Sequence, residues 1–279
     1  MTHKLLIFFL LFSAFQVHSH TKKQIDSLAV ILNTSEDFIE RTEKCKILLE
    51  LSSFYLSIDN NESVGDSIGK SALILAYSIE NPNVSLKYYN QYLEIKREMH
   101  SWNIEPQIIK QTESLLEKST NLNTQCNTYF LLSDYYLSTY EADIAKVYAS
   151  KAVQLAKQTN NDTLIIKSHL VIGECFNKEM EKVDAFQEFA TAMTKSEKLG
   201  NTELAILCYE NLANFYASIG VNEKAKDYLR KKLLKLGRKS SVDSNEIVRI
   251  WIKFEELDFN PNFTLDHNSR ANRIFKYAD

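Results

Sequence analysis

Cysteine, histidine and carboxylate side chains are the groups in this sequence that could bind a metal, act as nucleophiles or transfer protons. The spacing of the cysteines matches neither a Cys-x-x-Cys pair nor a zinc site, and they are Cys45, Cys126, Cys175 and Cys208. Each falls inside or at the edge of an expected helix. Oxidation would be open to them in an exported protein. Their placement favours small buried residues of the core over a metal or redox site.

No other arrangement of reactive side chains predicts catalysis. The six histidines are scattered, and His169 is interpreted as a core residue rather than a pH-sensitive group. The sequence lacks a phosphate-binding glycine loop, a His-Glu-x-x-His motif, a nucleophile elbow and the kinase signature. The pair Glu255-Glu256 is interpreted as solvated charge, because catalytic carboxylates must converge across a cleft. We therefore expect no enzyme activity, no cofactor and no metal.

The composition is that of a globular chain with one large or two small domains. Of 279 residues, 44% are apolar and 25% charged, and only 6 are Gly and 3 Pro. Proteins built from many tight turns need more of both. The net charge of −3 argues against a strongly basic nucleic-acid-binding protein.

The second half of the chain repeats with a step of forty residues. Six positions recur in register in three copies. They are Tyr129, Leu132, Ser133, Tyr136, Ala145 and Ala152; His169, Ile172, Gly173, Phe176, Ala185 and Ala192; and Tyr209, Leu212, Ala213, Tyr216, Ala225 and Lys232. The first four positions of a copy lie on one face of a helix, and the alanines mark a second helix. Each copy therefore predicts an antiparallel pair, which a small residue allows to pack closely.

This pattern resembles the tetratricopeptide repeat, or TPR. An aromatic residue, Leu, a small residue and Tyr are followed by Ala nine positions on and by a second Ala after seven more. The usual repeat has 34 residues, so the forty-residue step indicates longer helices. The resemblance is strong for 126–236, moderate for 42–80 and weak for 84–119. It implies an all-α, right-handed superhelical solenoid of antiparallel helix pairs.

The start of the chain predicts a secretory signal peptide. A positive first segment precedes the apolar run from Leu5 to Phe15, and Ser19 fits a cleavage site. The alternatives are an uncleaved anchor and a buried start. No later stretch has 18 apolar residues, so we expect a soluble mature chain that is periplasmic or secreted. The predicted divisions are a signal peptide at 1–19, an N-terminal helix at 20–41, a solenoid of about five pairs at 42–240 and a capping helix with a loosely ordered tail at 241–279.

In the TPR family the first helix of each pair lines a concave groove, and the resemblance carries its positions to three helices. The candidate groove residues are Asn127, Phe130, Asp134 and Ser138; Lys167, Leu170, Glu174 and Asn177; and Leu207, Glu210, Asn214 and Ser218. Their polar members suit hydrogen bonding to an extended peptide, and plain solvated surface is the alternative. The family's carboxylate clamp needs Lys and Asn where this chain has Phe130 and Asp134, so we predict no clamp activity.

A basic run follows the third copy. Its members are Lys224, Lys226, Arg230, Lys231, Lys232, Lys235, Arg238 and Lys239. Leucines form the apolar stripe of the same helix, so we expect the basic side chains on its solvated side, and Lys232 to face water in a terminal repeat. Contact with an anionic membrane surface between Lys224 and Lys239 is the alternative.

The resemblance implies a non-catalytic scaffold of the cell envelope or exterior that binds a protein or peptide in its groove. Nucleic acid is not an expected partner, and the oligomeric state stays open. The signal followed by alanine-marked repeats also resembles the extracytoplasmic region of bacterial TPR-containing sensor histidine kinases. The alternative function is therefore that of the sensory region of a truncated or degenerate signalling protein.

Overall fold

The computed structural model describes residues 40–57, 62–99, 101–237 and 244–257. This part of the chain forms eleven α-helices and no strands, which confirms the all-α prediction. They are α1 (Arg41–Leu56), α2 (Glu62–Tyr77), α3 (Pro82–Glu98), α4 (Pro106–Lys118), α5 (Leu122–Ser138), α6 (Ala142–Gln158), α7 (Asp162–Lys178), α8 (Lys182–Leu199), α9 (Thr202–Ser218), α10 (Asn222–Leu236) and α11 (Ser244–Leu257). None of these described helices is both long and apolar enough to cross a membrane.

The helices pack in the order of the chain, as repeated pairs require. Each of the pairs α1/α2, α3/α4, α7/α8 and α9/α10 is in contact, and α8 also contacts α9. The chain divides into two compact units, residues 1–131 and 132–279, with the division inside α5. The predicted signal peptide, the opening helix before Glu40 and the tail after Leu257 lie outside the described residues.

Small residues allow close helix contacts in both units. A Cβ placed on Gly173 of α7 would lie 2.7 Å from Cε1 of Phe189 in α8, so the ring occupies the space that a side chain would need. In the other unit, a Cβ on Gly65 of α2 would lie 2.8 Å from the backbone nitrogen of Leu56 in α1. The hydroxyl of Ser52 also donates a 2.7 Å hydrogen bond to the Gly65 carbonyl. The small positions of the repeat are therefore points of helix contact.

α11 packs on the last helix pair. Its buried residues Ile250 and Phe254 join a cluster with Ile206 and Ala213 of α9 and Leu229 of α10. α11 thus covers apolar surface that a terminal pair would otherwise expose to water.

The first helices of three successive copies end in the same way. Tyr140, Met180 and Gly220 are forty residues apart and have φ values of 67°, 66° and 74°. In each case the amide of the following residue donates a 2.9 Å hydrogen bond to the carbonyl of an aromatic residue five positions before it, and these pairs are Glu141–Tyr136, Glu181–Phe176 and Val221–Tyr216. This is the Schellman arrangement, in which glycine is the favoured residue because left-handed backbone crowds a Cβ.

Replacing Met180 with glycine should therefore raise the free energy of unfolding by about 1 kcal/mol. The side chain is 73% exposed, so little packing is lost with it. Met180→Ala is the matched control, because alanine keeps the unfavourable Cβ, and it should leave stability nearly unchanged. Urea denaturation followed by circular dichroism measures both variants. Equal stability of the two variants would contradict this explanation.

Candidate functional site

The candidate groove residues lie on α5, α7 and α9, the first helices of their pairs. Phe130 and Leu170 are buried, so these two side chains belong to the core and present no surface to a ligand. Asn127, Asp134, Ser138, Lys167, Glu174, Asn177, Leu207 and Glu210 are partly exposed, and Asn214 and Ser218 are exposed. Asn127 and Phe130 belong to the unit 1–131, and the remaining candidates belong to the unit 132–279. The structure therefore keeps a mainly polar set on the solvent side of α7 and α9.

Several of these polar residues join neighbouring first helices. The Asn177 side-chain oxygen accepts hydrogen bonds from Ser218 Oγ at 3.2 Å and from Lys182 Nζ at 2.8 Å. The corresponding oxygen of Asn214 accepts one from Lys253 Nζ of α11 at 2.9 Å. α7 and α9 thus carry their candidate residues side by side, Lys253 of α11 contacts one of them, and the amide nitrogens of both asparagines are potential donors for a ligand.

Glu174 is the most perturbed carboxyl group of this face. Burial raises its pKa to about 7, and the negative charges of Asp134 and Glu210 add to the effect, which Lys178 partly offsets. The described residues provide no hydrogen bond or salt bridge to its carboxylate. Glu174 is therefore the carboxyl group of this face whose charge a positively charged or hydrogen-bond-donating group of a ligand would stabilise.

The raised pKa of Glu174 predicts a pH-dependent stability. Between pH 4.5 and pH 7 the folded protein binds more protons at this group than the unfolded chain, so stability falls as pH rises through that range. Glu174→Gln removes the charge and should be more stable than the original protein at pH 8, by about 2 kcal/mol, with a smaller difference at pH 5. Urea denaturation at the two pH values measures it. The exposed Glu197→Gln is the control, and an equal pH response of the two variants would refute the assignment.

Glu210 is held ionised by two lysines. Burial acts to raise its pKa, but Lys232 at 3.0 Å and Lys253 at 3.6 Å outweigh that effect, and the pKa of this carboxyl is lowered. The expectation that Lys232 faces water is wrong, because its side chain is only 5% exposed. The aliphatic stem lies in the helix interface while the ammonium group reaches Glu210.

The basic run is only partly on the solvated side of α10. Lys226 is buried like Lys232 and forms an ion pair with Glu223 at 2.9 Å, which corrects the prediction for both residues. Arg230 pairs with Asp227 at 2.6 Å, and Lys224 and Lys231 lie over aromatic rings. Arg238 and Lys239 lie outside the described residues. Much of this positive charge therefore has partners inside the protein.

The cysteines and His169 behave as structural residues. All four thiols are buried and none of them forms a disulfide bond within the described residues; burial raises their pKa to about 11 or 12, which keeps them from acting as thiolates. His169 Nδ1 lies 2.6 Å from a carboxylate oxygen of Glu188 on α8. Across the part of the chain that the structure describes, no three potential ligands are grouped as a metal site requires.

A cavity that sequence reasoning missed lies between α1 and α3. Its volume is about 350 Å³, and its lining residues are Lys46, Leu49, Glu50, Ser53, Gln91, Glu94, Ile95 and Glu98. In the copy at 42–80, Leu51, Ser52 and Tyr55 match Leu132, Ser133 and Tyr136, 81 residues further on. Moving the groove positions back by 81 residues gives Lys46, Leu49 and Ser53. The α1 side of the cavity was therefore recoverable from the repeat. The α3 side was not, because this pair lacks the alanine positions.

A second depression of about 520 Å³ follows one face of α8. It is lined by Val183, Phe186, Gln187, Ala190, Thr191, Thr194, Lys195 and Lys198. All of these come from one second helix, and Val183 is 79% exposed. This surface is the main competitor of the first-helix faces as a binding site.

No family model matches the sequence, and no curated protein sequence matches it. Solved structures do resemble the fold. Aspartyl phosphate phosphatase F from Bacillus subtilis matches with a TM-score of 0.62 at 14% identity, over 99% of this chain and 70% of that one. A kinesin light chain with nearly identical TPR-like repeats from Podosopora anserina matches with a TM-score of 0.55 at 11% identity, over 72% and 98%. A signal-transduction ATPase of the STAND class with a tetratricopeptide repeat sensor, from Pyrococcus horikoshii, matches with a TM-score of 0.53 at 12% identity, over 92% and 46%.

These likenesses establish the class of fold. The described chain is a TPR-like helical solenoid built from consecutive helix pairs, as the forty-residue step predicted.

Proposed function

We propose that this protein is a non-catalytic scaffold that binds an extended polypeptide on the faces formed by its first helices. One observation carries the proposal. The α1 side of the cavity between α1 and α3 uses the same repeat positions as the polar face of α7 and α9, so each unit offers partly exposed polar side chains at equivalent positions, such as Lys46 and Ser53 in one and Lys167 and Glu174 in the other. Repetition of one kind of surface suits a ligand that itself repeats, which is the case for a peptide backbone.

The spacing of the helices fits such a ligand. Packed helices lie about 8 to 10 Å apart. Roughly three residues of an extended chain span that distance. Amide groups such as those of Asn177 and Asn214 pair with backbone groups whatever the ligand's side chains are. Carboxylates such as Glu174 would add a preference for positive charge.

We also propose that the protein acts in the cell envelope or outside the cell. The support is the segment from Met1 to Ser19, with its positive start, apolar run and cleavage site. N-terminal sequencing of the protein from its native source should begin at His20. An intact Met1 would instead support an uncleaved anchor.

A sensory role is the second candidate. It is favoured by the likeness to the STAND protein, whose repeats are described as a sensor and of which this chain covers 46%. In this case binding of the polypeptide would be the signal rather than the end of the function. Both candidates require the same binding faces.

Selection of 12-residue random peptides against the protein tests the proposal. Affinities of the selected peptides are then measured by fluorescence anisotropy with three double variants. Asn177→Ala/Asn214→Ala or Ser53→Ala/Gln91→Ala should weaken binding about tenfold, since each removes two hydrogen-bonding groups. Gln187→Ala/Thr194→Ala on α8 is the matched control and should change binding less than twofold. The proposal would be overturned if only the α8 variant weakened the binding of the selected peptides.

A further inference from the structure

We propose that the cavity between α1 and α3 is a subsite for one lysine or arginine side chain of the bound polypeptide. This inference rests on the proposed function and adds the chemistry of the partner. It is drawn from three features of the cavity: its charge, its apolar walls and the amide oxygen of Gln91, which has no hydrogen-bond partner among the described residues.

The charge of the lining favours a cation. The lining contains three carboxylates, Glu50, Glu94 and Glu98, and one lysine, Lys46, whose charge acts on Glu50. Glu94 lies 3.9 Å from Arg97, a long distance for an ion pair, and Glu98 is exposed. Burial raises the pKa of Glu50, and the charge of Glu43 adds to this while Lys46 opposes it. A positive group that enters the cavity would therefore relieve unfavourable carboxylate charge, whereas an anion would increase it.

The walls suit a long aliphatic stem with a charged end. Ile95 of α3, which is partly exposed, contributes apolar surface to the cavity, and Leu49 of α1, which is only 3% exposed, lies at its floor. Lysine and arginine bury their methylene groups against such surface while the charged head stays near polar groups. A volume of about 350 Å³ is at the lower end of the range for small-ligand pockets. It is large enough for one side chain and a short piece of backbone.

Gln91 provides the link to the peptide backbone. Its Oε1 atom is shielded from water and has no hydrogen-bond partner among the described residues. A buried acceptor without a partner is unfavourable. Rotation of the terminal amide, whose torsion is soft, turns either its oxygen or its nitrogen toward the cavity. A backbone N–H or C=O of the ligand would then satisfy it.

A metal ion is a poorer occupant. Although three carboxylates line the cavity, no three potential ligands come close enough together to hold a metal in the described chain. A flexible ammonium or guanidinium group makes no such demand on geometry, because its contacts are hydrogen bonds and screened charge.

Four matched peptides test the inference. They share the sequence Gly-Ser-Ala-Xaa-Ala-Ser-Gly, with Lys, Arg, norleucine or Glu at Xaa. Binding is followed by the NMR shift of the Ile95 δ1 methyl group in the full protein. The Lys and Arg peptides should shift this signal and bind about ten times more tightly than the norleucine peptide, because norleucine keeps the stem and lacks the charge. The Glu peptide should bind most weakly.

Two double variants complete the experiment. Glu94→Gln/Glu98→Gln should reduce the advantage of Lys over norleucine about tenfold. Glu80→Gln/Glu117→Gln removes the same charge from exposed sites away from the cavity lining and should leave the advantage unchanged. Equal binding of Lys and norleucine peptides, or equal effects of the two variants, would overturn the inference. Such a result would leave the proposed function intact, because that is tested by the peptide selection. The proposed function is refuted only if the α8 variant alone weakens the binding of the selected peptides.

Discussion

Replacing Phe189 with alanine is expected to lower the free energy of unfolding of the 132–279 unit by about 3 to 5 kcal/mol. The ring is 1% exposed and belongs to a core cluster with Leu170 of α7 and Phe215 of α9. Its centroid lies 5.6 Å from that of Phe215. Its loss leaves a cavity between three helices, which cannot close without moving all of them. Urea denaturation measured by circular dichroism gives the change.

Phe186→Ala is the matched control for this prediction. Phe186 lies on the same helix, and its ring is 6.1 Å from Phe215, but it is 42% exposed. We expect a loss of about 1 kcal/mol, because less surface leaves the core. Gly173→Val should lower the free energy of unfolding less in the Phe189→Ala protein than in the original, since the ring that the valine side chain would displace is gone. Equal losses of unfolding free energy for Phe189→Ala and Phe186→Ala would show that the α7/α8 contact is not a main source of stability.

The second large effect is expected at Asp66. Its carboxylate pairs at 2.9 Å with Lys96, whose side chain is 0% exposed. The same ammonium donates a 3.0 Å hydrogen bond to Ser101 Oγ. Asp66→Ala leaves a buried charge without its counter-ion and should cost about 3 to 5 kcal/mol. The measurement is urea denaturation of the variant.

Two further variants separate this effect from the general cost of losing an ion pair. Lys70→Ala removes the 2.6 Å pair with Glu105, in which both side chains are more than a third exposed. That loss should be below about 1 kcal/mol. The double variant Asp66→Ala/Lys96→Met should be more stable than Asp66→Ala alone, because no buried charge remains. A double variant that is less stable than Asp66→Ala would contradict this reasoning.

The sequence predicted the helix pairs because close packing constrains many positions at once. Position 173 must hold a small residue because the ring of Phe189 lies against it. The end of α7 is capped by a hydrogen bond from the amide of Glu181 to the carbonyl of Phe176. Both constraints recur with each copy, so they leave a visible step of forty residues. α3 and α4 were harder to place, since large side chains such as Tyr89 and Tyr92 fill their core without the alanine pattern.

The positions of long polar side chains could not be predicted in the same way. The pattern of α10 shows that Lys232 occupies a small-residue position. It does not show that the flexible side chain of Lys232 reaches the carboxylate of Glu210. Phe130 was carried into the groove by the family resemblance, yet it is buried. The cavity beside Gln91 depends on how two helices of different repeats approach each other, and this information is not contained in one repeat.

The two units support one interpretation of function from separate observations. In the unit 132–279 the observation is the polar face with Glu174, whose pKa is raised to about 7 by burial and by neighbouring carboxylates. In 1–131 it is the cavity with Glu94, Glu98 and Gln91. Each unit places negative charge and amide groups on its first helices. We therefore expect the ligand to be an extended polypeptide with basic side chains.

Photo-cross-linking tests this account most directly. A selected peptide that carries benzoylphenylalanine is irradiated in complex with the protein, and the joined residues are identified by mass spectrometry. We expect cross-links on first helices, either α1 and α3 in the unit 1–131 or α7 and α9 in the unit 132–279. Cross-links confined to second helices, such as the Val183–Lys198 face of α8, would contradict it.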